Sequence, residues 1–308
     1  MQFCPKFAKK LSSQTNIAQE NISYNKLIGF LKLTKFRLGS LVVFSAVVTY
    51  FTVAESINWK QVLALTIGGI FVTSAANGFN QFIEKDLDKL MTRTNKRPLP
   101  LGIITRKEAF LFCALLGVIG TIILWVFTNP LSGILGFISI LLYAAVYTPL
   151  KRITPFSVFV GAFPGALPTL IGAVAVTDGF GHVTFFGLLL FIIQFVWQFP
   201  HFWTLAWFNS EDYAKADFYL LPSQYGKDKA SQFQILLYTV FLLMVSLLPF
   251  IFHFTGLLSA IACILAGLAM LFQAYIFYKK GTDELAKKLF FITLIYLPIV
   301  QLALMTKQ

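Results

Sequence analysis

The chain has 308 residues, of which 57% are hydrophobic and only 12% charged, with a mean hydropathy of +0.74, so a soluble domain is excluded and an integral membrane protein is expected. The formal net charge of +12 would suit a nucleic-acid partner, but the cations lie in short loops between apolar runs and form no basic domain, so no nucleic acid is expected and they read as topology signals. Three cysteines, Cys4, Cys113 and Cys263, have no metal spacing and imply neither a zinc site nor a disulfide framework.

Residues 1–21 are polar and lack the apolar core and cleavage site of a secretory signal, so they are expected to remain as a cytoplasmic tail. From Ile22 to Phe36, Ile22, Leu27, Ile28, Leu31 and Phe36 fall on one helical stripe with Lys26, Lys32 and Lys35 around it. That pattern predicts an interfacial helix leading into the first span. Apolar stretches of crossing length then occur nine times, near 38–54, 62–83, 107–127, 131–148, 156–176, 184–207, 233–252, 257–278 and 286–305. Residues 22–308 therefore read as one all-α membrane domain.

The loops alternate in charge. Seven Lys/Arg precede the first span and seven more lie between Lys85 and Lys107, whereas the opposite loops carry almost none apart from Lys60. The positive-inside rule places the N-terminus in the cytoplasm, the C-terminus outside and every chemically interesting loop on the cytoplasmic side. With no convincing Arg-rich transit pattern at the start, the cell inner membrane is the expected location.

Most of the chemistry sits between Ala76 and Pro100, where three acids and five cations follow an apolar run. If its first half is helical, Asn80, Glu84 and Asp88 recur at i, i+4 and i+8 on one face, and Asp86 points elsewhere. A positive-inside loop would explain the cations, but not carboxylates stacked turn upon turn at a membrane boundary, where burying acid is costly. Close carboxylates repel unless a cation neutralises them, and hard oxygen ligands around a cation that also holds phosphate oxygens are a Mg²⁺ habit. Arg93 and Arg97, four apart, offer bidentate forks for that phosphate.

A second acidic stretch, Phe208 to Pro222, contains Glu211, Asp212 and Asp217 and lies on the same side four spans later. Spans one to four and five to eight each place an acidic loop after their second member, as a loose internal repeat would. Two such clusters with arginines suggest a diphosphate clamped through Mg²⁺, and a membrane cavity behind it suggests that the diphosphate carries a lipid tail. The corresponding chemistry is prenyl transfer, in which the leaving diphosphate is stabilised while the allylic C–O bond ionises. The 34 phenylalanines could line the path of an allylic cation, but lipid-facing packing explains them equally well.

The segment NQFIEKDLDKLMTRTNKRPLP resembles the first signature of the UbiA superfamily of intramembrane prenyltransferases, and in particular its haem-farnesylating branch. The resemblance continues through YTPLKR (Tyr147 to Arg152), GAFPGALPTLIG (Gly161 to Gly172), WQFPHFW (Trp197 to Trp203) and EDYAKADFYLLP (Glu211 to Pro222), covering roughly residues 30 to 300 in order. It implies nine transmembrane helices around a central cavity that joins farnesyl diphosphate to a vinyl group of haem B, with Mg²⁺ as cofactor.

Carried over by residue, Asn80, Glu84 and Asp88 would hold Mg²⁺ and diphosphate from the first motif, and Asp212, with Asp217 beside it, from the second. Arg93, Arg97, Lys151 and Arg152 would bind phosphate directly, with Tyr147 alongside. The superfamily usually has Asp where Glu84 stands, Ala216 occupies the place of the second motif's i+4 acid, and Phe36 replaces a common proline. Of the three histidines, His201 lies towards the loop end of span six and is the candidate to contact haem. The competing readings are a related enzyme that prenylates a quinone precursor, a cation or proton transporter using the intramembrane acids, and a non-catalytic haem chaperone. The product of a haem farnesylation would pass to a haem oxidation step or a terminal oxidase.

Overall fold

The computed structural model describes residues 26–223 and 225–306; the polar tail and the start of the interfacial helix lie outside the described residues. Nine helical segments among those described are long and apolar enough to cross a membrane, matching the nine stretches read from the sequence.

The first is broken. Residues 26–34 form α1, Lys35 adopts the left-handed conformation (φ 49°), and α2 runs Phe36–Val53. A non-glycine residue there costs about 1–2 kcal/mol, so packing must hold the turn. Leu33 is fully buried against Leu99, Ile104 and Cys113, and Lys26 pairs with Glu108 at 2.7 Å. Leu27, Leu31 and Phe36 of the apolar stripe are exposed, as an interfacial helix would present them to lipid.

Local sequence sets most helix starts. Asn58 caps α3 (Trp59–Ile83), and Glu84 separates it from the single turn α4 (Lys85–Asp88). Thr105 and Glu108 form a capping box on α5 (Arg106–Phe127), and Asn129 with Pro130 opens α6 (Pro130–Leu141). The fourth span continues through a π-helical segment, Leu142–Tyr147, into α7 (Thr148–Leu150). It is followed by α8 (Ser157–Val174), α9 (Phe185–Phe208), α10 (Ser210–Ala214), α11 (Lys229–Ser246), α12 (Leu248–Ile251), α13 (Leu257–Lys280) and α14 (Asp283–Ala303).

Packing follows chain order. Contacts run α2 to α3, α3 to α5 and α5 to α6, and again α8 to α9, α9 to α11 and α11 to α13, so the two sets of four spans repeat one neighbour pattern. The sets join where α2 meets α8 and α6 meets α8, and α14 packs on α9 and α13. Small residues let the backbones approach: a Cβ on Gly120 of α5 would stand 2.9 Å from the Gly68 carbonyl oxygen of α3. Outward faces keep residues such as Leu115, Val126, Leu265 and Phe272 exposed, where lipid rather than water would cover them. Between α2, α3, α8, α9 and α14 lies a cavity of about 1010 Å³.

Candidate active site

The predicted helical register survives the break in α3. Glu84 N–H donates to the Asn80 carbonyl at 3.0 Å and Asp88 N–H to the Glu84 carbonyl at 2.7 Å, so Asn80, Glu84 and Asp88 stay on one face and line the cavity. All three are at least 96% buried. Asp86 points away, as expected, and pairs in solvent with Lys89 and Arg106.

Each of the two inward carboxylates has a cation. Arg97 Nη1 reaches both oxygens of Asp88 at 2.8 and 2.7 Å, and Lys151 forms an ion pair with Glu84. Burial pushes the Asp88 carboxyl above its ordinary range, and Arg97 opposes the shift. Lys151 also sits over the rings of Tyr147 (4.8 Å) and Phe218 (5.2 Å), which hold its ammonium at the cavity wall. Asn80 Nδ2 donates to Thr148 Oγ1 at 3.1 Å, and that hydroxyl donates to the Tyr143 carbonyl at 2.8 Å. The amide is thereby oriented with its oxygen left over as a ligand.

The second acidic loop meets the first in another way. Asp212 accepts from the Thr92 and Arg93 backbone N–H groups at 2.7 and 3.0 Å and from Lys215 at 3.0 Å. Partial burial would raise its pKa, but these donors outweigh it and pull the carboxyl down to about 2. Asp212 is therefore a strut between the loops and stands outside the cavity lining. Asp217 has φ 53° and faces solvent 3.8 Å from Arg152, so neither of these two lines the cavity. Arg93 does, with its guanidinium 5.5 Å from the Tyr213 ring centroid and Nη2 donating to the Tyr213 hydroxyl at 3.3 Å.

Around one cavity the fold thus gathers Asn80, Glu84, Asp88, Arg93, Arg97, Tyr147, Lys151 and His201. Among the described residues no three His, Cys, Asp or Glu side chains are grouped as a complete metal cage. The donors present are nonetheless all hard oxygens: the Asn80 amide oxygen and the Glu84 and Asp88 carboxylates, which line the cavity. That set fits Mg²⁺, which usually takes one or two carboxylates and completes its shell with water and phosphate.

His201 lies between Trp197 (ring centroids 4.4 Å, 19° between planes) and Phe290 (4.8 Å, 24°). Its Nδ1 is 2.8 Å from Thr293 Oγ1, whose own proton goes to the Phe290 carbonyl at 2.6 Å. The hydroxyl can only accept from the ring, so Nδ1 carries the proton and Nε2 a lone pair. Residues missed from sequence include Lys35, Asn77, Tyr143, Gln194 and Gln301, all at the cavity wall. Gln194, Gln198 and His201 recur at i, i+4 and i+7 in an apolar helix, a polar stripe that could have been read directly. Lys35 gave no signal, because only the left-handed turn directs it inward.

A buried acid and amide face paired with cations, at one end of an apolar cavity inside nine helices, is the equipment of an intramembrane prenyltransferase. The chain belongs to the UbiA prenyltransferase family, whose profile matches residues 41–295. It is 44% identical over 294 residues to the protoheme IX farnesyltransferase of Christiangramia forsetii, covering 94% of this chain and 96% of that one. Solved structures with the same fold include a digeranylgeranylglyceryl phosphate synthase (TM-score 0.75, 22% identity, 91% of this chain and 97% of that one). Another is a UbiA homologue from Archaeoglobus fulgidus bound to GPP and Mg²⁺ (TM-score 0.67, 15% identity, 90% and 99%).

Proposed function

We infer that the chain transfers the farnesyl group of farnesyl diphosphate to a vinyl group of haem B, adding water and giving haem O and diphosphate. The observation that carries this reading is the single cavity that sets a buried cation-paired acid face at its loop end and an aromatic-clamped histidine further in, in a chain 44% identical to a protoheme IX farnesyltransferase.

Asn80, Glu84 and Asp88 would hold Mg²⁺, which when bound offsets the charge of the diphosphate. Arg97 and Lys151, which pair with Asp88 and Glu84, would bind the diphosphate from the same wall, with Arg93 and Tyr147 alongside. These cations would neutralise charge as the allylic bond opens, beside buried acids where each contact counts for more than in water. Asp212 would support the same centre by fixing the backbone that carries Arg93, and Arg152 and Asp217 would act from the solvent side of the loops. His201 would face the haem. The charge alternation supports a cell inner membrane location with the N-terminus and both acidic loops in the cytoplasm and the C-terminus outside. The product would pass to a haem oxidation enzyme or a terminal oxidase.

The test is to incubate the detergent-purified protein with haem B, farnesyl diphosphate and Mg²⁺ and to weigh the porphyrin product. A product heavier by one farnesyl group and one water, lost with EDTA, is expected. Unchanged haem together with a prenylated quinone precursor would replace haem as the acceptor. If neither acceptor reacted and the protein carried ion flux in liposomes, the enzyme reading would fall.

A further inference from the structure

The proposed reaction consumes a water, and the acid face with its cations serves the diphosphate end of the cavity. Three polar residues of α9, Gln194, Gln198 and His201, share one face and line the cavity. Gln194 is satisfied: its Nε2 donates to the Gly165 carbonyl at 2.8 Å and its Oε1 accepts from Gln301 at 2.9 Å. Gln198 differs. It is 3% exposed and its side chain makes no hydrogen bond to any described residue, with its amide lying against α8 where Gly165 leaves room. A Cβ on Gly165 would stand 2.6 Å from both Gln198 Nε2 and Oε1. The amide opens to the cavity, where its oxygen can accept from, and its nitrogen donate to, a bound polar molecule.

His201 follows three residues later on the same face. Thr293 takes its Nδ1 proton, and Trp197 and Phe290 fix the ring plane, leaving Nε2 to accept only. At 1.5 Å per residue, His201 and Gln198 lie roughly 10 and 15 Å from the loop end of α9, further into the bundle than the acid face, which begins near the end of α3. We propose that the Gln198 amide and His201 Nε2 together bind the water that captures the cation left on the acceptor, with His201 as its base. The proposal rests on the haem-farnesylation reading.

The step balances as follows. The allylic C–O bond breaks with its electron pair leaving on diphosphate, and farnesyl C1 bonds to the terminal vinyl carbon, which leaves a cation on the carbon next to the porphyrin ring. Water donates a lone pair to that carbon, and the proton it sheds goes to His201 Nε2. Thr293 and Gly165 act as positioning residues, one fixing the tautomer and the other the amide. If the water is not held, the cation instead loses a proton from the adjacent CH₂ group and gives an alkene one water lighter.

Product partition in H₂¹⁸O tests this through a ratio that a general loss of rate would leave unchanged. Wild type should give the ¹⁸O-labelled hydroxylated product, whereas Gln198→Leu should shift at least half of the product to the alkene. Gly165→Ala, which keeps the glutamine and displaces it, should shift the ratio the same way, so the proposal stands or falls even if one variant does not fold. His201→Phe should do likewise while leaving the absorption spectrum of bound haem as in wild type. Hydroxylated product alone from Gln198→Leu and Gly165→Ala, at any rate, would overturn the proposal, as would a changed haem spectrum in His201→Phe, which would make the histidine an iron ligand. Failure of wild type to farnesylate haem would instead remove the underlying reading.

Discussion

The two acidic loops have similar composition and opposite uses. After α3 the helical register carries through Glu84, so Asn80, Glu84 and Asp88 are drawn into the cavity and matched with Arg97 and Lys151. After α9 the chain turns at Asn209, and Asp212 spends its oxygens on the backbone of the other loop. One loop therefore presents its charge to the cavity, and the other bonds to the backbone of the first. A carboxylate's role is decided by which donors reach it first, and its count in a motif does not reveal that.

The largest effect expected is from Asp88→Asn. Turnover should fall on the order of 10²–10³-fold with an unchanged helical circular dichroism spectrum, because a charge at the reacting centre is lost while the shape is kept. Near-normal turnover would remove Asp88 from the centre. Asp212 gives the sharpest break. As a strut, Asp212→Asn should cost roughly tenfold and Asp212→Ala more, mainly in the KM for farnesyl diphosphate, since an amide oxygen can still accept from one of the two N–H groups. A loss as large as that of Asp88→Asn, carried by kcat, would instead make the two loops equivalent.

Lys151→Met separates folding from chemistry. It leaves Glu84 buried and unpaired, and breaking such a pair from one side typically costs about 3–5 kcal/mol. Thermal unfolding in detergent should show that loss, and the double variant Glu84→Gln/Lys151→Met should recover most of the stability and none of the activity. The smallest effect belongs to Asp217→Ala. Its carboxylate is 71% exposed, so unfolding should change by less than about 0.5 kcal/mol and turnover by less than twofold. A substantial loss there would restore Asp217 to the centre.

Much of the candidate site was legible because its signals are local. The spacing of Asn80, Glu84 and Asp88, the pair Arg93 and Arg97, and the sequence YTPLKR each lie within two or three helical turns, and all of these but Thr148, Pro149, Leu150 and Arg152 line the cavity. The polar stripe on α9 was equally local. What stayed hidden depends on contacts between distant segments: the Asp212 bonds to Thr92 and Arg93 span about 120 positions, and His201 takes its tautomer from Thr293 on α14.

By itself the sequence determined that the protein is membrane-embedded, that it has nine spans and the stretch in which each lies. Those properties follow from the length of apolar runs, from caps such as Asn58, Thr105 and Thr184, and from the rule that a backbone in lipid must satisfy its own hydrogen bonds. Only the tertiary structure decided which acids face the cavity, that Lys35 turns inward, and that Gln198 lies without a partner beside a histidine carrying its proton on Nδ1. These depend on which side chains of separate helices meet, and hydrophobic length and periodicity do not encode that.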